Sequence, residues 1–192
     1  MLLSACSPSP VRSTLALYVD PDPAAFAVHP EASRRGEFLV ELDQRIAKEP
    51  DNPYFIAVRA YQYCLDGKVS ECDGYYARAL IVESASMEDR RHVLWSKGWS
   101  MFMLQRYQQA IADWHEAERL HGGKPYWVAY TLSIAYWRAG DKEQAMKYFE
   151  LAVKSNKAWG DDAKRARLTA HWKPAEKNAK QELVVYWKAQ KK

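Results

Sequence analysis

The residues able to do chemistry are few and scattered. Five histidines (His29, His92, His115, His121 and His171) are spread along the 192 residues. No two of them flank a carboxylate at the spacing with which one helix face grips a metal ion. The three cysteines, Cys6, Cys64 and Cys72, include no Cys-x-x-Cys pair. The chain holds no glycine-rich phosphate loop and no serine-centred nucleophile elbow. Glu116 and Glu118 fall on different faces of a helix, so they do not form an acid–base pair. The expectation is a non-enzymatic protein with no catalytic residue, metal or cofactor. What the chain does concentrate is aromatic surface: 8 Trp, 12 Tyr and 5 Phe. Such side chains bury large rigid areas and dominate binding interfaces.

Charge is divided unevenly. Residues 1–90 carry 9 basic and 14 acidic side chains, and residues 91–192 carry 19 and 10. The segment from Lys157 onward holds 10 basic and 4 acidic residues. This asymmetry fits an acidic partner, an anionic surface or a solvated helical face. The basic tail with Trp172 and Trp187 would suit nucleic acid, but no nucleic-acid motif accompanies it, so nucleic acid is not expected as a partner. No apolar run has the length of a membrane span.

The elements that position the aromatics read as helices. Pro21, Pro23 and Pro30 make the lead-in irregular. From Arg34 a helical stripe of Phe38, Leu39, Leu42 and Ile46 begins, and Pro50-Asp51-Asn52-Pro53 ends it and starts the next helix. A pattern of small residues then recurs three times. Ala60, Cys72 and Ala79 form the first set; Gly98, Ala110 and Ala117 the second; Ser133, Ala145 and Ala152 the third. A large aromatic sits between the last two members of each set: Tyr76, Trp114 and Phe149. The copies start 38 and 35 residues apart, near residues 53, 91 and 126. The longer first interval predicts extra loop around Ala85–Asp89.

This pattern resembles the tetratricopeptide repeat, in which small residues mark the crossing of two helices and large ones fill the space between. Lys97 and Met101 stand where that family has large apolar residues, and Ala129 where it has Trp. The resemblance implies an all-α fold: a short right-handed superhelical solenoid of antiparallel helix pairs, about three repeats at 53–84, 91–122 and 126–157. A capping helix at 34–49 would precede them, and one or two, broken near Pro174, would follow at 160–190. Residues 1–33 would be a start, tether and lead-in, and 34–192 the helical domain.

The resemblance also implies a concave groove lined by the first helix of each pair. Carried onto this sequence, the groove residues are Tyr54, Tyr61, His92, Trp95, Trp99, Phe102, Trp127, Tyr130, Trp137 and Arg138, with smaller neighbours Ala57, Cys64, Leu65, Met103 and Ile134. Two occupants compete for so aromatic a face: a partner's protein or peptide segment, or the chain's own ends. The Lys, Asn and Arg with which some members hold a peptide carboxylate are replaced here by aromatic or apolar residues.

Leu3-Ser4-Ala5-Cys6 resembles a bacterial lipobox, and Ser7-Pro8-Ser9-Pro10 the flexible tether that follows one. Export would need a longer apolar stretch upstream of Cys6, so this reading expects an upstream start, lipidation of Cys6 and a place on the periplasmic side of a bacterial envelope. Membrane contact would then run only through that anchor. Cys64 and Cys72 remain as an even pair that a periplasm would permit to join; otherwise both are small core residues. The leading function is an envelope-anchored scaffold or adaptor for an outer-membrane, secretion or pilus complex. The alternatives are a periplasmic immunity protein neutralising a toxin, and a cytoplasmic repeat adaptor.

Overall fold

A computed structural model describes residues 16–27 and 32–191. Cys6, the lipobox-like segment, its Ser/Pro tether and His29 lie outside the described residues. Among the described residues there are nine α-helices: α1 (Arg35–Lys48), α2 (Pro53–Leu65), α3 (Val69–Leu80), α4 (Met87–Met103), α5 (Tyr107–His121), α6 (Val128–Arg138), α7 (Lys142–Ser155), α8 (Asp162–Leu168) and α9 (Pro174–Ala189). Their most extensive contacts are between α2 and α3, α4 and α5, and α6 and α7. Three-residue turns separate the members of each pair, a connection that leaves helix neighbours antiparallel. Across pairs, α2 meets α4 and α5 meets α6, while α9 packs on α6 and α7.

Local sequence sets several of these boundaries. Asn52 accepts hydrogen bonds from the backbone N–H groups of Tyr54 and Phe55, and Pro53 supplies the first helical position of α2. Asp141 caps α7 through the N–H of Gln144. Ser86 and Asp89 form a reciprocal capping box that starts α4 at Met87. The loop expected over Ala85–Asp89 instead lies at residues 81–86, because α3 ends at Leu80 and Asp89 belongs to the first turn of α4.

The nine small residues that mark the repeated pattern are all buried, as are Tyr76, Trp114 and Phe149. At Gly98 the need for a small residue is steric: a Cβ there would lie 2.2 Å from Nε1 of Trp114. Trp114 in turn donates its indole N–H to the carbonyl of Trp95 at 3.2 Å. The Tyr76 hydroxyl bridges α3 to α4 through Ser96 and Ser100, at 2.9 and 2.8 Å. Lys97, one of the departures from the repeat pattern, bonds both carboxylate oxygens of Asp113 on α5 at 2.7 and 3.0 Å. An ion pair thus fills the place that an apolar side chain would occupy.

Cys64 and Cys72 are joined through their sulfurs, with Cα atoms 5.2 Å apart, and pin the end of α2 to the start of α3. The second half of the lead-in is irregular, as its prolines require, but is not a free tether. Tyr18, Asp22 and Ala24 are buried, and Asp20 pairs with the turn before α6 through its own N–H and carbonyl, both at 3.0 Å.

Candidate functional site

The first helices of the three pairs share one aromatic surface. His92, Trp95 and Trp99 recur on α4 at intervals of three and four, the spacing of one helix face. Val58 and Tyr61 face the same way from α2, Tyr126 comes from the turn before α6 and Tyr130 from its first turn. Together they border a cavity of about 330 Å³, within the range of small-ligand clefts.

The chain's own ends close much of this surface. At one side the lead-in lies across it as a strap. The Asp22 carboxylate accepts from Arg91 at 3.3 Å and from the indole N–H of Trp127 at 3.0 Å. The carbonyl of Ala24 accepts from Nδ1 of His92 at 2.9 Å. Burial, partly offset by that bond, lowers the His92 pKa, so the ring is neutral near pH 7 and Nδ1 carries the proton. Phe26 then stacks on Tyr54 and packs against His92. At the other side a 3-10 turn (Lys157–Trp159) and the segment linking α8 to α9 bring in Trp159 and Trp172. Trp172 meets Trp99 at 5.6 Å and Tyr130 at 5.7 Å between ring centroids, and Trp159 stacks on Tyr130 at 4.8 Å.

Of the groove residues implied by the repeat resemblance, Tyr61, His92, Trp95, Trp99 and Tyr130 border the cavity. Five do not. Trp127 is fully buried beneath Asp22, and Phe102 is buried among Tyr107, Trp99 and Trp114. Trp137 and Arg138 are covered by α9: both donate to Glu182, each at 3.0 Å, and the Trp137 ring lies against Tyr186. Tyr54 lies under Phe26 and faces α1. Phe102 is core beneath α5, and Trp127 is core beneath the lead-in, whereas Tyr54, Trp137 and Arg138 are partly buried contacts of the lead-in or of α9, so the centre of the surface is what stays open.

Phe26, Trp159, Trp172, Lys173 and Glu176 also border the cavity, and the repeat pattern did not point to them because they lie outside the repeats. The cluster Trp172-Lys173-Pro174, an aromatic beside a helix start, was the one local signal. Lys173 lies half-buried with its ammonium 4.8 Å from the centre of the Tyr61 ring and 3.2 Å from the sulfur of Met103. Burial lowers its pKa, with a smaller opposing pull from Glu176. Glu176 is 6% exposed and accepts the backbone N–H of Lys173 at 2.8 Å. Burial raises its pKa.

Among the described residues no group of three or more His, Cys, Asp and Glu side chains is placed to hold a metal ion, and no helix is long and apolar enough to cross a membrane. No protein-family model, no curated protein and no solved structure matches this chain.

Proposed function

We propose that this protein is a non-enzymatic binding module of the helical-repeat type, with the aromatic cavity as the seat for a segment of a protein partner. One observation carries the reading. Tyr61, Trp95, Trp99 and Tyr130, from three successive helix pairs, converge on one cleft that the chain's ends narrow but do not fill. A rigid aromatic cleft with a few polar groups at its rim is the form in which side-chain anchors are held. The sequence motif at Cys6 favours an envelope-anchored scaffold or adaptor as its setting.

Photo-crosslinking tests this. A crosslinking residue at Tyr126, which is 45% exposed beside the cavity, is introduced into the full chain in its native cells. A discrete protein adduct that disappears when Trp99 is also changed to Ala supports the reading. An adduct unaffected by Trp99→Ala would move the partner surface elsewhere. For the anchor, membrane release by Cys6→Ser is the expected result, and an unchanged distribution would remove the lipoprotein setting.

A further inference from the structure

Several polar groups around the cavity are donors with no described partner, and one of them is a cation whose only carboxylate neighbour at the cavity, Glu176, acts on it from beyond ion-pair distance. Lys173 has no carboxylate within ion-pair distance among the described residues; its ammonium meets only the Met103 sulfur and the Tyr61 ring. The indole N–H groups of Trp99, Trp159 and Trp172 and the hydroxyl of Tyr130 also bond to no described residue, although all four side chains border the cavity. Two further cations act here: Arg35, itself paired with Asp66, on Lys173, and Lys177 on Glu176. The carboxylate that borders the cavity is Glu176, tied by one oxygen to the backbone of Lys173, while Asp22 and Asp89 act on the lead-in side through His92 and Tyr126. A half-buried ammonium with no carboxylate at hydrogen-bond distance is costly, and a charge-assisted hydrogen bond to a bound anion relieves that cost.

The geometry points to a site for an organic acid: a carboxylate placed on the ammonium of Lys173, with an apolar or aryl body among Trp95, Trp99, Tyr130, Trp159 and Trp172. The proposal rests on reading the cavity as a ligand cleft and adds the chemistry of what enters it. The same chemistry is offered by a free aryl or alkyl acid and by the C-terminal carboxylate of a peptide.

Three probes of one shape test it on the full chain: 4-phenylbutyrate, 4-phenylbutanol and 4-phenylbutylamine, titrated by calorimetry and tryptophan fluorescence. Phenylbutyrate is expected to bind at least about ten-fold tighter than the other two, the discrimination that one charge-assisted bond supplies. Lys173→Met should erase that preference. Glu176→Gln, which keeps an acceptor for the Lys173 N–H, should tighten phenylbutyrate several-fold by removing the like charge. Opposite signs from two neighbouring residues are not what a structural role would produce. Equal binding of the three probes, or preference for the amine, overturns the acid site and leaves the ligand cleft standing. If none of the three perturbs the tryptophans, both fall. A pentapeptide with a free C-terminal phenylalanine, compared with its amide and with phenylbutyrate, identifies the source. A free-acid peptide that binds tighter than phenylbutyrate and its own amide assigns the site to peptide ends. A peptide that binds worse assigns it to free acids. Either outcome upholds the anion site.

Discussion

Single side chains divide here into those that hold the fold and those that border the open cavity. Gly98 belongs to the first group. A Cβ added there would overlap the Trp114 indole, so Gly98→Ala must push a fully buried ring aside. A loss of about 3 kcal/mol is expected from such overpacking, read as a lower midpoint in chemical denaturation. Trp99 and Trp137 look alike in sequence and differ in structure. Trp137 reaches from α6 to α9, half-buried, with its N–H on Glu182 and its ring against Tyr186. Trp137→Ala should therefore destabilise the fold by about 3 kcal/mol, near the lower end for a large-to-small change. Trp99 borders the cavity and also meets Trp95, Phe102, Trp114 and Trp172, so Trp99→Ala should weaken the aryl probes as well as lower the melting temperature, whereas Trp137→Ala should leave probe binding unchanged. Thermal melts and probe titrations on both variants separate the two roles.

At the scale of elements, the lead-in strap and the α2–α3 turn are the parts whose attachment can be tested. Asp22 is the strap's anchor. Asp22→Ala leaves the Arg91 guanidinium without its carboxylate and the buried Trp127 N–H without an acceptor. The expected cost is about 3 kcal/mol, typical of breaking a buried pair from one side. Hydrogen exchange should show protection lost at residues 20–26 while α4 to α7 keep theirs. The Cys64–Cys72 bond closes a short loop of sequence separation 8. By loop entropy it contributes about 2.5 kcal/mol, seen as a lower melting temperature in reductant. Alkylation of denatured, unreduced protein should leave both cysteines unlabelled; two reactive thiols there would refute the bond.

For the whole molecule, acid should loosen the joint between the lead-in and the α5 region. Burial alone would raise the pKa of Glu118. Hydrogen bonds from His115, Lys124 and the Tyr18 hydroxyl outweigh it and bring the value down to about 2. The carboxylate is thus more acidic folded than unfolded, where Glu titrates near 4.3. Its contribution is complete above the unfolded value and is lost as pH falls through that range toward about 2. Melting temperature should drop over this window, and Glu118→Gln, already without the charge, should drop less. An identical acid slope in the variant would assign the loss to other carboxylates.

The sequence by itself determined the helices and their core. The repeated small residues, from Ala60 to Ala152, and the aromatics Tyr76, Trp114 and Phe149 are buried as their periodicity demands, since close helix crossings tolerate no larger side chain. Asn52-Pro53 and Pro174 fixed helix starts because capping and proline geometry act within a turn of the chain. The fate of the aromatic surface was decided only by tertiary structure. Trp127 and Trp137 carry the same local signal as Trp95 and Trp99. Asp22 lies 105 residues from Trp127, and Glu182 lies 45 residues from Trp137. No local periodicity encodes such pairings, because covering a helix face depends on where distant, irregular segments return. The ends of the chain therefore covered the flanks of an apparent groove at Tyr54, Trp127, Trp137 and Arg138. They also supplied Trp159, Trp172, Lys173 and Glu176 to the part that stayed open.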